Sequence, residues 1–309
     1  MIMTIGLPRA LLYYKYRYLW EIFFKELGCR VIVSEKSSSQ TLADGSRFSI
    51  DECCLSSKMY MGHVYSLIGH CDYVLVLRVE NFGRKEKVCV KFNAMYDIVK
   101  NTFKDVPLLC YDVDVEKGNS ELKGFLQMGK VLGKSCRQSF FAYQKGKRAQ
   151  MIQDKQKAEK QLKLLENQEQ LKILLVTHPY NIYDKLIGFP IVKLVEESGG
   201  MPVYADACDS TSCRKESEGI SKSLNWTFNK ELVGAMNLCK EKVDGIILIT
   251  AFPCGPDSLV NELILRRFKH IPISHIILDE LTGEAGLQTR IESFMDIIKE
   301  KKKKRVVNG

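Results

Sequence analysis

Residues 172–204, KILLVTHPYNIYDKLIGFPIVKLVEESGGMPVY, decide the fold class. Lys172 to Thr177 is a short run of leucine and β-branched residues, the composition of a strand buried on both faces. Leu186 to Glu197 repeats apolar residues at helical spacing and is stopped by Gly199 and Gly200. Met201 to Tyr204 resumes a strand-like run. Strand, helix and strand in that order predict parallel pairing, because parallel neighbours need a crossover of a dozen or more residues, usually a helix.

The same alternation extends in both directions. Downstream come a helix over Lys230 to Lys240, a strand over Gly245 to Thr250, a helix over Ser258 to Arg267, a strand over Ile273 to Leu278 and a final helix over Gly286 to Lys301. Upstream, after a short apolar start, a helix over Ala10 to Leu27 ends at Gly28, and Arg30 to Ser34 is a β-branched strand. A helix over Leu55 to Ile68, a strand over Tyr73 to Val79, a helix around Ala94 to Phe103 and a strand over Pro107 to Asp112 follow. Between the halves, Phe140 to Leu171 is rich in Lys, Gln, Glu and Ala, lacks Pro and holds one Gly, which suits a single long exposed helix. The chain is therefore expected to be α/β, with two Rossmann-like or flavodoxin-like parallel-sheet domains and a long helical connection. The expected divisions are 1–139 for the N-terminal α/β domain, 140–171 for the helical linker and 172–309 for the C-terminal α/β domain.

Composition bounds the function. With 309 residues, 45% apolar and 27% charged, the chain can bury two cores. The start lacks the unbroken apolar run and small-residue cleavage site of a signal peptide, and no segment reaches the roughly 18 apolar residues of a membrane span. Eleven cysteines without a secretion signal point to a reducing compartment, by default the cytoplasm. The formal charge of +9 is concentrated in 145–163, KGKRAQMIQDKQKAEKQLK, and 299–309, KEKKKKRVVNG. Both are solvated stretches without an aromatic platform for bases, so nucleic acid is not the expected partner.

The cysteines sort by surroundings. Cys29, Cys71, Cys110 and Cys239 sit beside or within apolar patterns and are expected to fill cores. Cys254, in AFPCGPDS, occupies a strand-to-helix turn stiffened by Pro253, Gly255 and Pro256. Such turns form the functional edge of open α/β sheets, and the coming helix N-terminus favours thiolate over thiol. Cys89 follows a strand in ENFGRKEKVCVKF, among Arg84, Lys85, Lys87 and Lys91, and Cys54 precedes a helix in DECCLSSKMYMGHV, with Lys58 one turn on. Three thiolates would converge in such an arrangement. No C-x-x-C pair or ferredoxin-like run is present, which disfavours compact zinc and ferredoxin frameworks. Cys53 stays ambiguous, and Cys208 and Cys213 in YADACDSTSC are either a separate site or incidental thiols of a polar loop. His178, in THPYNIYD, is the candidate catalytic imidazole at a sheet edge near Tyr180, Tyr183 and Asp184, with capping of the next turn as the plainer role. His63 is expected to be structural, and His270 and His275 are expected to have no role.

Several segments together resemble a known family. GLPRALLYYKYRYLWEIFFKELG at 6–28, ECCLSSKMYMGHV at 52–64, DYVLVLRV at 72–79, CVKF at 89–92, THPYNIYD, AFPCGPDS and LDELTGEAGLQTRIESF at 278–294 span nearly the whole chain. They resemble the acyl-CoA dehydratase activase-related proteins, relatives of 2-hydroxyacyl-CoA (including 2-hydroxyglutaryl-CoA) dehydratase subunits and of double-cubane cluster proteins. The resemblance implies two α/β domains and a 4Fe-4S cluster held by Cys54, Cys89 and Cys254, with one iron left open for substrate. It further implies an ATP-dependent activase as electron-delivering partner, with a related α/β subunit as another, and an acyl-CoA thioester as substrate. The family's usual prolines are replaced by Ser56 and Val90, so two ligand loops lose a rigid φ angle. No nucleotide-binding P-loop is evident, so ATP would act on a separate chain. Three readings follow: a cluster-bearing dehydratase-like component, an ATP-coupled low-potential electron-transfer component, or a non-enzymatic scaffold for an activase.

Overall fold

The computed structural model describes residues 2–166 and 170–307. It contains two four-stranded sheets, and every strand pairing in both is parallel. The first is built from β1 (Thr4–Leu7), α1 (Tyr13–Glu26), β2 (Arg30–Val33), α2 (Ser39–Arg47), α3 (Leu55–Tyr65), β3 (Tyr73–Asn81), α4 (Val90–Thr102), β4 (Leu108–Asp114) and α5 (Glu121–Val131). The long helix α6 (Cys136–Glu166) follows. The second is built from β5 (Leu171–Val176), α7 (Pro179–Ile182), α8 (Phe189–Glu197), β6 (Gly200–Tyr204), α9 (Ser210–Glu218), α10 (Thr227–Cys239), β7 (Gly245–Ala251), α11 (Gly255–Arg267), β8 (Ile273–Leu278) and α12 (Glu284–Val307). Residues 167–169, the end of the stretch expected to be helical before β5, lie outside the described residues.

The two sheets share one strand order, β2-β1-β3-β4 and β6-β5-β7-β8. In each, the chain leaves the first strand toward one edge and returns on its other side, so the order reverses between β1 and β3 and again between β5 and β7. Ligands of open α/β sheets bind at the C-terminal ends of strands beside such a reversal. Burial on both faces explains the strand sequences: β7 is buried at all seven positions, and β3 is apolar over most of its length.

The chain divides into two compact units. The first comprises Met1–Asp154 with Asn225–Thr227, and the second comprises Lys155–Leu224 with Phe228–Gly309. Each unit engages its own part of α6. In the first, Gln150 accepts from the Leu19 amide and Tyr143 donates to Glu121. In the second, Gln161 donates to the Tyr204 carbonyl at 2.7 Å and Lys157 pairs with Asp206. Asn225–Thr227 joins the first unit through Lys87, whose amide donates to Asn225 O at 3.0 Å and whose carbonyl accepts from the Thr227 amide at 2.8 Å.

Helices α2, α5 and α9 are absent from the sequence reading. Helix α2 is capped by Ser38, whose hydroxyl accepts from the Thr41 amide while the Thr41 hydroxyl accepts from the Ser38 amide. It lies against α3 backbone to backbone: a Cβ on Gly45 would stand 1.9 Å from the Lys58 carbonyl oxygen, and one on Gly62 would stand 2.0 Å from that of Thr41. Covered in this way, α3 is buried from Leu55 to Val64. Helix α5 contains Gly124 and Gly129, and α9 replaces the polar loop expected around Cys213, which is buried at 1% exposure.

Candidate functional site

Each of the three candidate cysteines is the residue on which a helix starts. Cys54 precedes α3 with φ −65° and ψ 152°, Cys89 precedes α4 with φ −60° and ψ 140°, and Cys254 precedes α11 with φ −72° and ψ 107°. All three are half-buried. Two of these helices begin earlier than their apolar periodicity indicates: α4 starts at Val90 rather than near Ala94, and α11 at Gly255 rather than Ser258. None of the three side chains caps its helix by a hydrogen bond, and the positive end of each helix favours negative charge at the residue that starts it.

In the first unit the N-termini of α3 and α4 are tied side by side. Lys91, two residues past Cys89, donates from Nζ to the Cys53 sulfur at 3.2 Å. Cys53 is buried while its neighbour Cys54 is half-buried, so the adjacent pair divides into one anchoring sulfur and one candidate ligand. The structure thereby brings the segments carrying Cys54 and Cys89 to the same edge. Lys58, one turn into α3, is 5% exposed. Behind them, His63 is wedged between Ser34 Oγ and Ser37 Oγ, both at 2.9 Å. Burial, reinforced by the Arg9 charge, pushes the imidazole down to about 4, so His63 is neutral and structural.

In the second unit His178 and Cys254 follow neighbouring strands β5 and β7, on either side of the strand-order reversal. They meet through Asp257, in the first turn of α11. Asp257 Oδ1 lies 2.9 Å from His178 Nε2 and accepts from Asn229 Nδ2 at 2.8 Å; the carboxylate also takes a hydrogen bond from the Cys254 side chain. Burial alone would raise the Asp257 carboxyl, but the His178 imidazole and the three hydrogen bonds outweigh it and hold the group below the usual carboxylate range. The imidazole stacks on Tyr180 at 4.9 Å with an interplanar angle of 13°. His178 begins α7 without capping it by its side chain, so its partner is Asp257 rather than the following turn. A second buried set lies further along α11: Asn261 Nδ2 donates to Thr250 Oγ1 at 2.7 Å, and Thr250 Oγ1 is 3.0 Å from His275 Nε2. His275, to which the sequence assigns no role, is half-buried and completes this network. Burial and the Arg290 charge push it below its ordinary value.

Sequence reading misses Asp257 and Asn229. Only the acidic residue three positions after Cys254 signals the first, and 79 residues separate it from His178. The remaining thiols follow burial: Cys110 is pushed up to about 12 chiefly by burial, and Cys208 Sγ lies 3.6 Å from Cys239 Sγ. Among the described residues, no group of three or more His, Cys, Asp and Glu side chains is arranged to hold a metal ion. No helix among them is long and apolar enough to cross a membrane. Three half-buried thiols stand at helix N-termini, Cys54 and Cys89 in the first unit and Cys254 in the second.

No curated protein matches the chain. Among solved structures, that of ZnuA aligns over 96% of this chain and 99% of its own at 11% identity and a TM-score of 0.29, a likeness that carries no argument. A family model described as CoA enzyme activase uncharacterised domain (DUF2229) matches residues 4–208, from β1 to the residue before α9's cap, with Cys54, Cys89 and His178 inside the match and Cys254 beyond it. The chain belongs to that CoA enzyme activase-associated family.

Proposed function

We propose that this chain is the 4Fe-4S component of a 2-hydroxyacyl-CoA dehydratase-like system, with Cys54, Cys89 and Cys254 as the thiolate ligands. The observation that carries this reading is their common setting: three cysteines far apart in sequence, each half-buried, each in extended backbone, each starting a helix. Membership of a family described by a CoA enzyme activase supports the association with an ATP-dependent activase, and reduced thiols suit a cytoplasmic setting. A cube held by three cysteines would supply one-electron chemistry at an iron open to the acyl-CoA substrate.

The chain's own contributions are positional. Lys91 fixes the Cys53–Cys54 segment beside Cys89, and the α3, α4 and α11 amides favour ionised sulfur. His178 is 4% exposed and bonded to Asp257, so it acts by orienting Asp257 at the strand-order reversal. The test is turnover of a panel of 2-hydroxyacyl-CoA thioesters by anaerobically reconstituted protein with an activase, ATP and a low-potential reductant. Loss of water from at least one thioester is expected. Reduction of the protein without water loss from any of them would favour the electron-transfer reading.

A further inference from the structure

Part of the basic stretch 299–309 lines a groove in the second unit that the thiol chemistry does not use. His178 and Cys254 follow β5 and β7, whereas this groove lies at the other edge of the same sheet, around Val243 and Asp244 before β7 and Pro272 before β8. Its volume, about 470 Å³, is that of a small-molecule site. The floor is apolar, with Val243, Phe268 and Ile298 all buried. The walls carry Lys240 just past α10, Arg267 at the end of α11, and Lys301 and Lys302 from α12.

Folding alone does not account for these cations. A helix C-terminus attracts positive charge, but the effect fades within the last turn. Arg266 and Arg267 share the last turn of α11, where Arg266 turns to Glu262 at 2.7 Å and Arg267 donates to the Gly219 carbonyl at 3.3 Å. Lys301 and Lys302 lie more than one turn before the end of α12 at Val307, so its dipole does not call for them. Lys302 pairs with Asp244 at 3.7 Å. The other three have no carboxylate partner among the described residues: Lys240 reaches Asn237 Oδ1 at 2.9 Å and the face of Phe268, Arg267 reaches only a carbonyl, and Lys301 is exposed. The lining sets one further carboxylate against them, the exposed Glu241. Like charges gathered around an apolar floor repel one another, and a concave wall focuses their field on an anion.

We infer that this groove binds a small molecule bearing a diphosphate, whose oxygens are held by Lys240, Arg267 and Lys301. The guanidinium fork and two ammonium groups come from three different helices, so each can take a different oxygen, and a diphosphate offers more acceptors than a carboxylate does. Phe268, at 8% exposure, is too covered to stack successive bases, which favours a small ligand over a nucleic acid. Inorganic pyrophosphate and a nucleoside diphosphate share the recognised chemistry, and the test separates them. None of the groove residues starts a helix at a thiol, so the inference stands apart from the proposed iron-sulfur role.

The test is calorimetric titration of the full chain with inorganic pyrophosphate and with ADP at constant ionic strength. Saturable binding is expected, weakened about tenfold or more in the double variant Arg267→Gln/Lys301→Gln, the loss of two charge-assisted hydrogen bonds. The control Lys303→Gln/Lys304→Gln removes the same charge from exposed positions of α12 outside the groove and should bind as wild type does. Tighter binding of ADP would identify a nucleoside diphosphate, and pyrophosphate bound at least as tightly would identify the diphosphate alone as the recognised group. No saturable binding of either probe by wild type, or equal weakening in both double variants, would overturn the inference. Should Arg267→Gln/Lys301→Gln fail to fold, amine acetylation of wild type followed by mass spectrometry tests the same site. Pyrophosphate should slow modification of Lys240 and Lys301 relative to Lys303, and an unchanged ratio would contradict the assignment.

Discussion

The two units repeat one topology and equip it differently. Helices α3 and α4 flank β3 as α10 and α11 flank β7, and in each unit the two helix N-termini are joined by a side chain. In the first unit the tie runs from Lys91 to Cys53, between two cysteine-bearing segments. In the second it runs from Asn229 to Asp257, and only α11 begins at a cysteine. The inward faces of the helices differ as well: α4 buries Phe92, Met95 and Val99, whereas α11 buries Asp257 and Asn261 along with Val260 and Ile264. One scaffold thus supplies thiols against hydrocarbon in one unit and a thiol against a charged network in the other.

The shared scaffold is the place to strike hardest. In both units a glycine lets two helices touch through their backbones: Gly62 meets Thr41, and Gly234 meets Cys213, where an added Cβ would stand 1.8 Å from a carbonyl oxygen. Gly62→Ala and Gly234→Ala should each cost on the order of 4 kcal/mol, since backbone must shift rather than a flexible side chain. Amide exchange should rise within the substituted unit; equal protection in both variants and wild type would show that the helices do not meet there.

Much of this scaffold is legible in sequence and some is not. The β-branched run at 30–33 and the apolar runs at 73–79 and 245–250 announce buried parallel strands, because few other environments tolerate such unbroken hydrophobicity. Helix α2 escapes notice because SQTLADGSR carries Gly45 and little apolar surface, and its glycine is a contact point rather than a breaker. Helices α5 and α9 are hidden for similar reasons of glycine and polarity. For the site, the turn chemistry around Cys254 locates a sheet edge, whereas the Asp257–His178 pair depends on β5 and β7 being neighbours, which no local pattern states.

The networks behind the cysteines break next. Asp257→Ala should destabilise the chain by about 3 kcal/mol, because His178 and Asn229 lose their buried acceptor. Asp257→Asn should cost clearly less, keeping an acceptor oxygen; equal losses in denaturant unfolding would mean that shape alone matters.

Acid should loosen the first unit in a defined pH window. His63 is pushed from 6.5 down to about 4 in the folded chain, so the unfolded chain binds the extra proton between those values. Its contribution is full above pH 6.5 and is lost as pH falls to about 4, reaching about 3 kcal/mol. Asp257 is held below 3.8, so its contribution is full above that value and is lost only at lower pH. Amide exchange around α3 should therefore loosen as pH falls from 6.5 to about 4, and unchanged protection over that window would contradict the assignment. The smallest effect is expected for Lys91→Met, which removes one half-exposed hydrogen bond and should cost under about 1 kcal/mol in stability. Its informative readout is a faster loss of iron.

The central claim is tested most directly by iron and acid-labile sulfide per chain after anaerobic reconstitution of wild type, Cys54→Ala, Cys89→Ala, Cys254→Ala and Cys110→Ala. About four of each in wild type and in Cys110→Ala, with loss in the other three, is the predicted result. Full iron retained by Cys254→Ala, or none taken up by wild type, would contradict the assignment of the three helix-starting cysteines as ligands.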